Sequence, residues 1–530
     1  VEFLKARVSV VVIAFNDVEH VTDAVRSALA QGDAVGEVIV VDDCSADGTA
    51  EVLAPLADAD QRVRVLARTT NSGGCGTPRN DGLAAAQFPY LLFLDSDDIL
   101  APGAVEALLP LAEQHGADVV AGRAVRRELP GGRETVWAKE IYGDRATLPG
   151  TVVTGIAEHP EMLWDTLSVN KLYRTAFLRD RRITFPDGAF HYEDFVFTAR
   201  VYAARPRIAF TGALVYVWHV RRQDGGRLSI SLRRADLANW RHRVAAHRGV
   251  LDTLRDAGAY SLAEAAQAKF LDYDLPMYVR ELPQRPAGYV SGWWKITRDY
   301  VAGFDKEGVA MAAVPSRWMA RALTAPGADE PEPGAAGIGR LVELAARPPR
   351  LIPPYGTLPP PELAELGPEK LPVTVDARVR TGSTTRLSLR VHELYGRLAA
   401  LHPVALCVEL TERGAAEPVI SIESPLIREG DGWTAAVRLN TAELARGGRL
   451  AVWHVRAAIR YAGGSARTPV EVRAADGQEA RRAAVVRPTG QVLLVQTHIT
   501  AGRALILRVA DGVRGVRHIA GGRLHRLLGR

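Results

Sequence analysis

The densest reactive stretch of this sequence is Asp95-Ser96-Asp97-Asp98, three carboxylates within four positions, directly after the apolar run Tyr90-Leu91-Leu92-Phe93-Leu94. Like charges at a strand terminus repel one another, and a divalent cation relieves that repulsion. Hard oxygen donors suit Mn2+ or Mg2+, ions commonly held by one or two carboxylates together with substrate phosphates. An acidic turn ahead of a helix starting near Pro102 is the plain alternative. Neighbouring motifs strengthen the chemical reading. Val40-Val41-Asp42-Asp43-Cys44-Ser45 puts a second acidic pair after another apolar run, where a carboxylate can accept an imide N–H, while Asp47 suits a helix cap. Asn71-Ser72-Gly73-Gly74-Cys75-Gly76-Thr77-Pro78-Arg79-Asn80 is a glycine-rich turn leading into a helix, with Pro78 fit for its first turn and Arg79 able to reach a phosphate. Glu193-Asp194 precedes the apolar helix Phe195 to Ala203, where acids favour the helix dipole. One of them can equally take a proton from an attacking hydroxyl.

These groups need elements that bring them to one rim. From Arg7 to about Asp98, short β-branched runs (Val8 to Ile13, Glu37 to Val41, Arg62 to Leu66, Tyr90 to Leu94) alternate with helical segments (Val18 to Ala30, Gly48 to Leu56, Pro78 to Ala86). Continuous apolar strands alternating with helices predict a parallel sheet covered on both faces. Ligands of such sheets sit beyond the carboxyl ends of the strands. Asn16, Asp17, Asp42, Asp43 and the 95–98 acids all fall there, so carboxylates dominate one rim. Residues 100–234 read as mixed α and β, and 235–346 as helical. A proline-rich connector over 347–372 is expected to be extended and semi-rigid. From 373 to 530, alternating strands such as Val373 to Val379 and Thr385 to Val391 predict a β-sandwich-like accessory domain.

In order and spacing, Val8 to Asn16, Val40 to Ser45, Asn71 to Asn80 and Phe93 to Asp98 resemble the nucleotide-diphospho-sugar domain of family-two inverting glycosyltransferases with a GT-A fold. Within that family the likeness points to bacterial wall teichoic acid enzymes that add N-acetylglucosamine to poly(ribitol phosphate). It extends through Ser168-Val169-Asn170-Lys171-Leu172-Tyr173-Arg174-Thr175 and His191-Tyr192-Glu193-Asp194-Phe195, covering most of residues 7–232. The resemblance implies an α/β fold with a GT-A domain over 1–234, then helical and β-rich modules able to trimerise through the C-terminal part. It makes Asp97 the principal ligand of Mn2+ or Mg2+, with Asp95 at the ribose or the metal shell and Ser96 beside them. Ala14, Asn16, Asp42, Asp43, Asn71 and Arg79 surround uridine and the diphosphate of a UDP-sugar donor. Asp194 becomes the general base, with Glu193 raising its proton affinity or binding the acceptor. The family's later substrate loop falls on Trp218-His219 and Arg221 to Ser231. Relatives carry a histidine near the place of Arg227, which can hold pyrophosphate but cannot replace an imidazole ligand. His219 is the candidate second ligand; a lone histidine beside an apolar strand also serves simple packing. Cys44, at a site often filled by glycine, and Cys75, within the glycine loop, are expected to pack.

The rest of the composition bounds the function. At roughly 100 to 200 residues per domain, 530 residues predict two to four units. A net charge of +5 on so long a chain argues only weakly for nucleic acid, which is not expected as a partner. Three cysteines at wide spacing suggest neither a disulfide framework nor a zinc site and fit a reducing compartment. Val1 to Arg7 offers no signal-peptide core, and no stretch reaches the ~18 apolar residues of a membrane span. A cytoplasmic protein is expected, with the arginine-rich segment from Arg503 to Arg530 a candidate contact for the inner membrane face. Trp137, Tyr142, Trp164 and His191 are candidates for an acceptor groove, and Arg123, Arg126, Arg127 and Lys139 for attraction of a polyol-phosphate polymer. Two other readings stand beside this one: the same chemistry on a natural product, peptide or lipid-linked glycan, and a carbohydrate-binding scaffold without activity.

Overall fold

Val8–Ala14, apolar but for Ser9, has no solvent-facing side and forms a fully buried strand, β1. The structure is a computed structural model that describes residues 7–129, 131–143, 148–221, 233–324, 335–346, 349, 351, 361–413, 415, 417–447, 450–464, 466–475, 477–478, 482–486, 492–500 and 504–511. After β1 come α1 (Val21–Leu29), β2 (Val35–Asp42), α2 (Thr49–Ala59), β3 (Val63–Ala67), α3 (Gly76–Ala85) and β4 (Tyr90–Asp95). Then follow β5 (Ile99–Leu100), α4 (Ala104–His115), β6 (Val119–Leu129), β7 (Arg133–Val136), α5 (Lys139–Tyr142), β8 (Val152–Thr154), β9 (Lys171–Arg174), α6 (Thr175–Asp180), α7 (Glu193–Ala203) and β10 (Arg207–Arg221).

These ten strands make one sheet of order β3-β2-β1-β4-β9-β6-β10-β5, with β7 on β6 and β8 on β10. The β3-β2-β1-β4 half is parallel, in keeping with its largely apolar runs. β9 runs antiparallel between β4 and β6. Register matters for the chemistry: Ala14 pairs with Asp42, and Ile13 with Asp95, so the carboxyl ends of β1, β2 and β4 finish level. The N-cap of α2 is Gly48, and Asp47, one position earlier, accepts the Thr49 N–H at 3.0 Å.

The chain divides into two compact units, residues 1–270 with 287–312 and residues 271–286 with 313–530. The first adds α8 (Leu237–Asp256) and α9 (Tyr260–Lys269) to the sheet domain. The second is dominated by an eleven-stranded sheet, in which Thr384–His392 alternates exposed and buried residues as its sequence pattern predicts. Within the connector, the described residues depart from an extended spacer. Pro361–Glu365 and Pro368–Lys370 are short 3-10 turns, and Glu362 is buried as acceptor for the Trp318 indole at 3.0 Å. Proline's fixed φ starts such turns as readily as it extends a chain. Among the described residues no helix is long and apolar enough to cross a membrane.

Candidate active site

Arg79 stands on the first turn of α3 with 2% of its side chain exposed. Its Nη2 donates to Asp95 Oδ1 at 2.6 Å, and its Nη1 to Glu193 Oε1 at 2.5 Å and Asp194 Oδ1 at 3.3 Å. One guanidinium thus joins the end of β4 to the start of α7. Burial pushes the Glu193 carboxyl up to about 7, against the pull of Arg79. Burial likewise raises Asp194, opposed by Arg79 and by the Ser168 hydroxyl, which donates to Asp194 Oδ1 at 2.7 Å. Arg79 itself resists burial because the acids around it hold its charge. The expected reach of Arg79 to a phosphate is therefore replaced, in this structure, by a bridge between acids.

The glycine loop also has a different neighbour from the one expected. A side chain on Gly74 would meet the Gly188 carbonyl at 2.4 Å, and one on Gly76 the Pro186 carbonyl at 2.0 Å. The close approach permitted by these glycines is thus to the segment leading into Glu193-Asp194. Asn80 fastens that segment further, accepting the Phe185 N–H at 2.8 Å.

At the 95–98 turn, the three acids separate into different tasks. Asp98 is buried and accepts from the Tyr216 hydroxyl at 2.6 Å and the His219 N–H at 2.7 Å. Burial and the charges of Asp97 and Asp95 push its carboxyl well above the usual range. It anchors the turn to β10. Ser96 is also buried, donating to Asp17 Oδ2 at 2.6 Å. Asp97 is half-buried, and its carbonyl lies 3.0 Å from His219 Nδ1. A carbonyl only accepts, so Nδ1 carries the proton and Nε2 of the neutral ring carries the lone pair, the tautomer a metal ligand needs. Asp97 and His219 therefore suit a divalent ion in donor chemistry. Asp95, expected to join them, faces Arg79, and among the described residues no group of three or more His, Cys, Asp or Glu side chains forms a ready metal cage.

On the β2 side, Asp43 accepts from Asn71 Nδ2 at 3.0 Å, from the Ser72 N–H at 3.0 Å and from its hydroxyl at 2.8 Å, and forms an ion pair with Arg68, whose Nε lies 2.9 Å away without a hydrogen bond. Two carboxylate oxygens offer about four lone-pair positions, so this acid is occupied in holding the 71–74 loop. Asp42 is buried and holds the Ser45 N–H at 3.1 Å. Asn16, at φ +49°, accepts the Ala46 N–H at 2.7 Å, and Ala14 is buried. Asp42, Asp43, Asn16 and Asn71 thus build the rim's backbone. Cys44 is exposed at φ +66°, which explains the fit of glycine there and corrects the packing expectation. Burial raises the Cys75 thiol well above its ordinary range, which disfavours the thiolate. Tyr142 is buried on Asp165, and Trp137 donates to the same acid at 3.2 Å while packing on Trp218, so both serve the interior. Arg227 and its loop lie outside the described residues, as do most of the terminal arginines.

Residues 9–175 match the glycosyl transferase family 2 model. The chain carries a family 2 glycosyltransferase domain. That domain is similar to the poly(ribitol-phosphate) β-N-acetylglucosaminyltransferase TarS of Staphylococcus aureus (31% identical over 225 residues, 41% of this chain). It is similar also to the poly(ribitol-phosphate) β-glucosyltransferase of Bacillus spizizenii (28% over 227 residues, 42% of this chain) and the succinoglycan biosynthesis protein ExoO of Rhizobium meliloti (29% over 216 residues, 40%). The alignments take in 36%, 34% and 61% of those proteins, so the chain spans less than two thirds of each. In fold, the crystal structure of S. aureus TarS aligns with 96% of this chain and 85% of its own at 18% identity, with a TM-score of 0.50. The family 2 domain is a GT-A fold, followed here by helical and β-rich regions. The roles of Ser168 and Tyr216 are not legible in the sequence because their partners lie 26 and 118 positions away; for Ser168 the polar alternation Thr166, Ser168, Asn170 is the available signal.

Proposed function

We propose that this protein is a metal-dependent inverting glycosyltransferase that moves a sugar, N-acetylglucosamine foremost, from a UDP-sugar to a hydroxyl of a wall-type polyol-phosphate polymer. The observation carrying the proposal is the Arg79 bridge, because it sets the acid at the end of β4 opposite the Glu193-Asp194 pair. Inversion needs a base across from the departing diphosphate, and Asp194, on α7 rather than on the turn after β4, is the acid we assign to that task. Asp194 takes the proton from the acceptor hydroxyl as that oxygen bonds to the anomeric carbon and the bond to UDP breaks. The raised proton affinity this requires of Asp194 comes from its burial and from the charge of Asp95, against Arg79 and Ser168. Asp97 and His219 would hold the divalent ion, which when bound supplies charge neutralisation at the diphosphate. Asp43 and Asn71 keep the 71–74 loop in place, and Arg79 holds the acids together. The names of two relatives, both poly(ribitol-phosphate) transferases, support the acceptor class; ExoO, named for succinoglycan biosynthesis, favours another glycan as the second reading.

Sugar transfer from UDP-N-acetylglucosamine to poly(ribitol phosphate), with manganese, tests the proposal. Asp194→Asn is expected to lower kcat by about 100-fold to 10,000-fold with UDP binding kept, and chelation to stop turnover. Undiminished turnover by that variant would refute the assignment.

A further inference from the structure

Residues 165–171 form a loop closed by an ion pair withdrawn from water. Lys171 Nζ lies 2.7 Å from Asp165 Oδ2, the two side chains being 1% and 0% exposed. The ammonium also donates to the Leu167 carbonyl at 2.6 Å and to Asn170 Oδ1 at 3.0 Å. Asp165 takes further bonds from Tyr142 at 2.6 Å and Asn170 at 3.2 Å. Taking such a pair out of water costs more than an apolar replacement of equal volume, so what it secures is geometry. What it secures here is the span between its members, where Ser168 is fully buried and its carbonyl is pinned by the Tyr173 hydroxyl at 2.9 Å. From that fixed point the Ser168 hydroxyl donates to Asp194 Oδ1 at 2.7 Å.

We propose that Ser168 is a positioning residue for proton removal: its hydroxyl, fixed by the Asp165–Lys171 loop, holds Asp194 by Oδ1 and turns Oδ2 to the acceptor. The inference rests on Asp194 being the base. A carboxylate free to rotate presents the right oxygen only part of the time, and misplacement of a reacting group is costly. Ser168 and Arg79 approach the same oxygen from different elements, which fixes the rotamer better than either alone. The charged or titratable groups acting on Asp194 are Arg79 on α3, Asp95 on β4, Lys171 and Tyr173 on β9, Cys75 and the adjoining Glu193.

The test compares Ser168→Ala and Ser168→Cys with the unaltered full chain and with Asp194→Asn. UDP release from UDP-N-acetylglucosamine is followed with manganese and poly(ribitol phosphate) across pH, with thermal unfolding in parallel. Ser168→Ala is expected to lose about tenfold to 100-fold in kcat with the donor KM within about twofold, and to raise the acid limb of kcat/KM by about one unit, because the lost donor had favoured the carboxylate. Ser168→Cys fills the same space with a weak donor and is expected to behave like Ser168→Ala. An unchanged limb in Ser168→Ala, or recovery in Ser168→Cys, would overturn the inference while leaving the base assignment intact. Equal turnover by the unaltered chain and Asp194→Asn would remove both.

Discussion

Arg79 Nη2 sits 2.6 Å from Asp95 Oδ1 in a place where the arginine is 2% exposed, and the same guanidinium reaches Glu193 at 2.5 Å. Removing the cation strands buried acids. Arg79→Met is expected to destabilise the fold by about 3–5 kcal/mol, the cost of breaking a buried ion pair from one side. Arg79→Lys keeps the charge but cannot fork toward both acids, so it falls between. Denaturant unfolding monitored by circular dichroism checks the order; an Arg79→Met variant as stable as the parent would show that the bridge carries no weight.

Glu193 gives the fold a pH dependence with a definite sign. Its carboxyl, ordinarily near 4.5, is pushed up to about 7 by burial, so the native state holds that proton more tightly than the unfolded chain. Stability linked to this group is present below its ordinary value and is lost as pH rises toward 7. The unfolding temperature should therefore fall between about pH 5 and pH 7.5, and Glu193→Gln should flatten that fall. Asp194, raised in the same direction, leaves a residual slope. A slope identical in parent and variant would assign it to other groups.

How far these relationships are legible beforehand depends on the distance over which they act. β1, β2 and β4 announce themselves as largely apolar runs, because a strand buried on both faces tolerates a polar side chain only where it finds a partner, as Ser9 does in Glu37 at 2.7 Å. The rim acids follow from those strands by register. The bridge does not, since Arg79 and Glu193 are 114 positions apart and only the packing of α3 against the 185–190 segment brings them together. The glycine loop misleads for the same reason: its need for close approach is plain, but the neighbour approached is a carbonyl of the chain. Asp97 and Asp98 read alike in sequence and differ in space, because Tyr216 and His219 arrive from β10 to take Asp98 inward.

Asp43 offers a test of support without contact. Its carboxylate accepts from Asn71 and Ser72 and pairs with the charge of Arg68, and Asp43→Ala leaves the Asn71 and Ser72 donors unsatisfied at a cost of about 1–3 kcal/mol. The loosened 71–74 loop is expected to become a protease-sensitive site, with weaker UDP binding and a smaller change in kcat. Limited proteolysis beside calorimetric titration of UDP checks this. Unchanged UDP affinity alongside faster cleavage would mean that the loop does not serve the donor.

Asp97 and Asp98 can be told apart by the ion. We assign the ion to the Asp97 carboxylate and His219 Nε2, whose ring is oriented by the Nδ1 hydrogen bond to the Asp97 carbonyl, whereas Asp98 already accepts from Tyr216 and the His219 N–H. Asp97→Asn and His219→Ala should each weaken manganese-dependent UDP binding by about tenfold or more, ~1.4 kcal/mol. Asp98→Asn removes an acid that burial already pushes toward its neutral form, so its effect on manganese affinity should be smaller, with any loss appearing in thermal stability instead. Titrating manganese against UDP binding in the three variants separates these outcomes. If Asp98→Asn proved the most damaging to metal affinity and Asp97→Asn the least, the ion would have to sit on the inner face of the turn, and the division of labour among the three acids would be reversed.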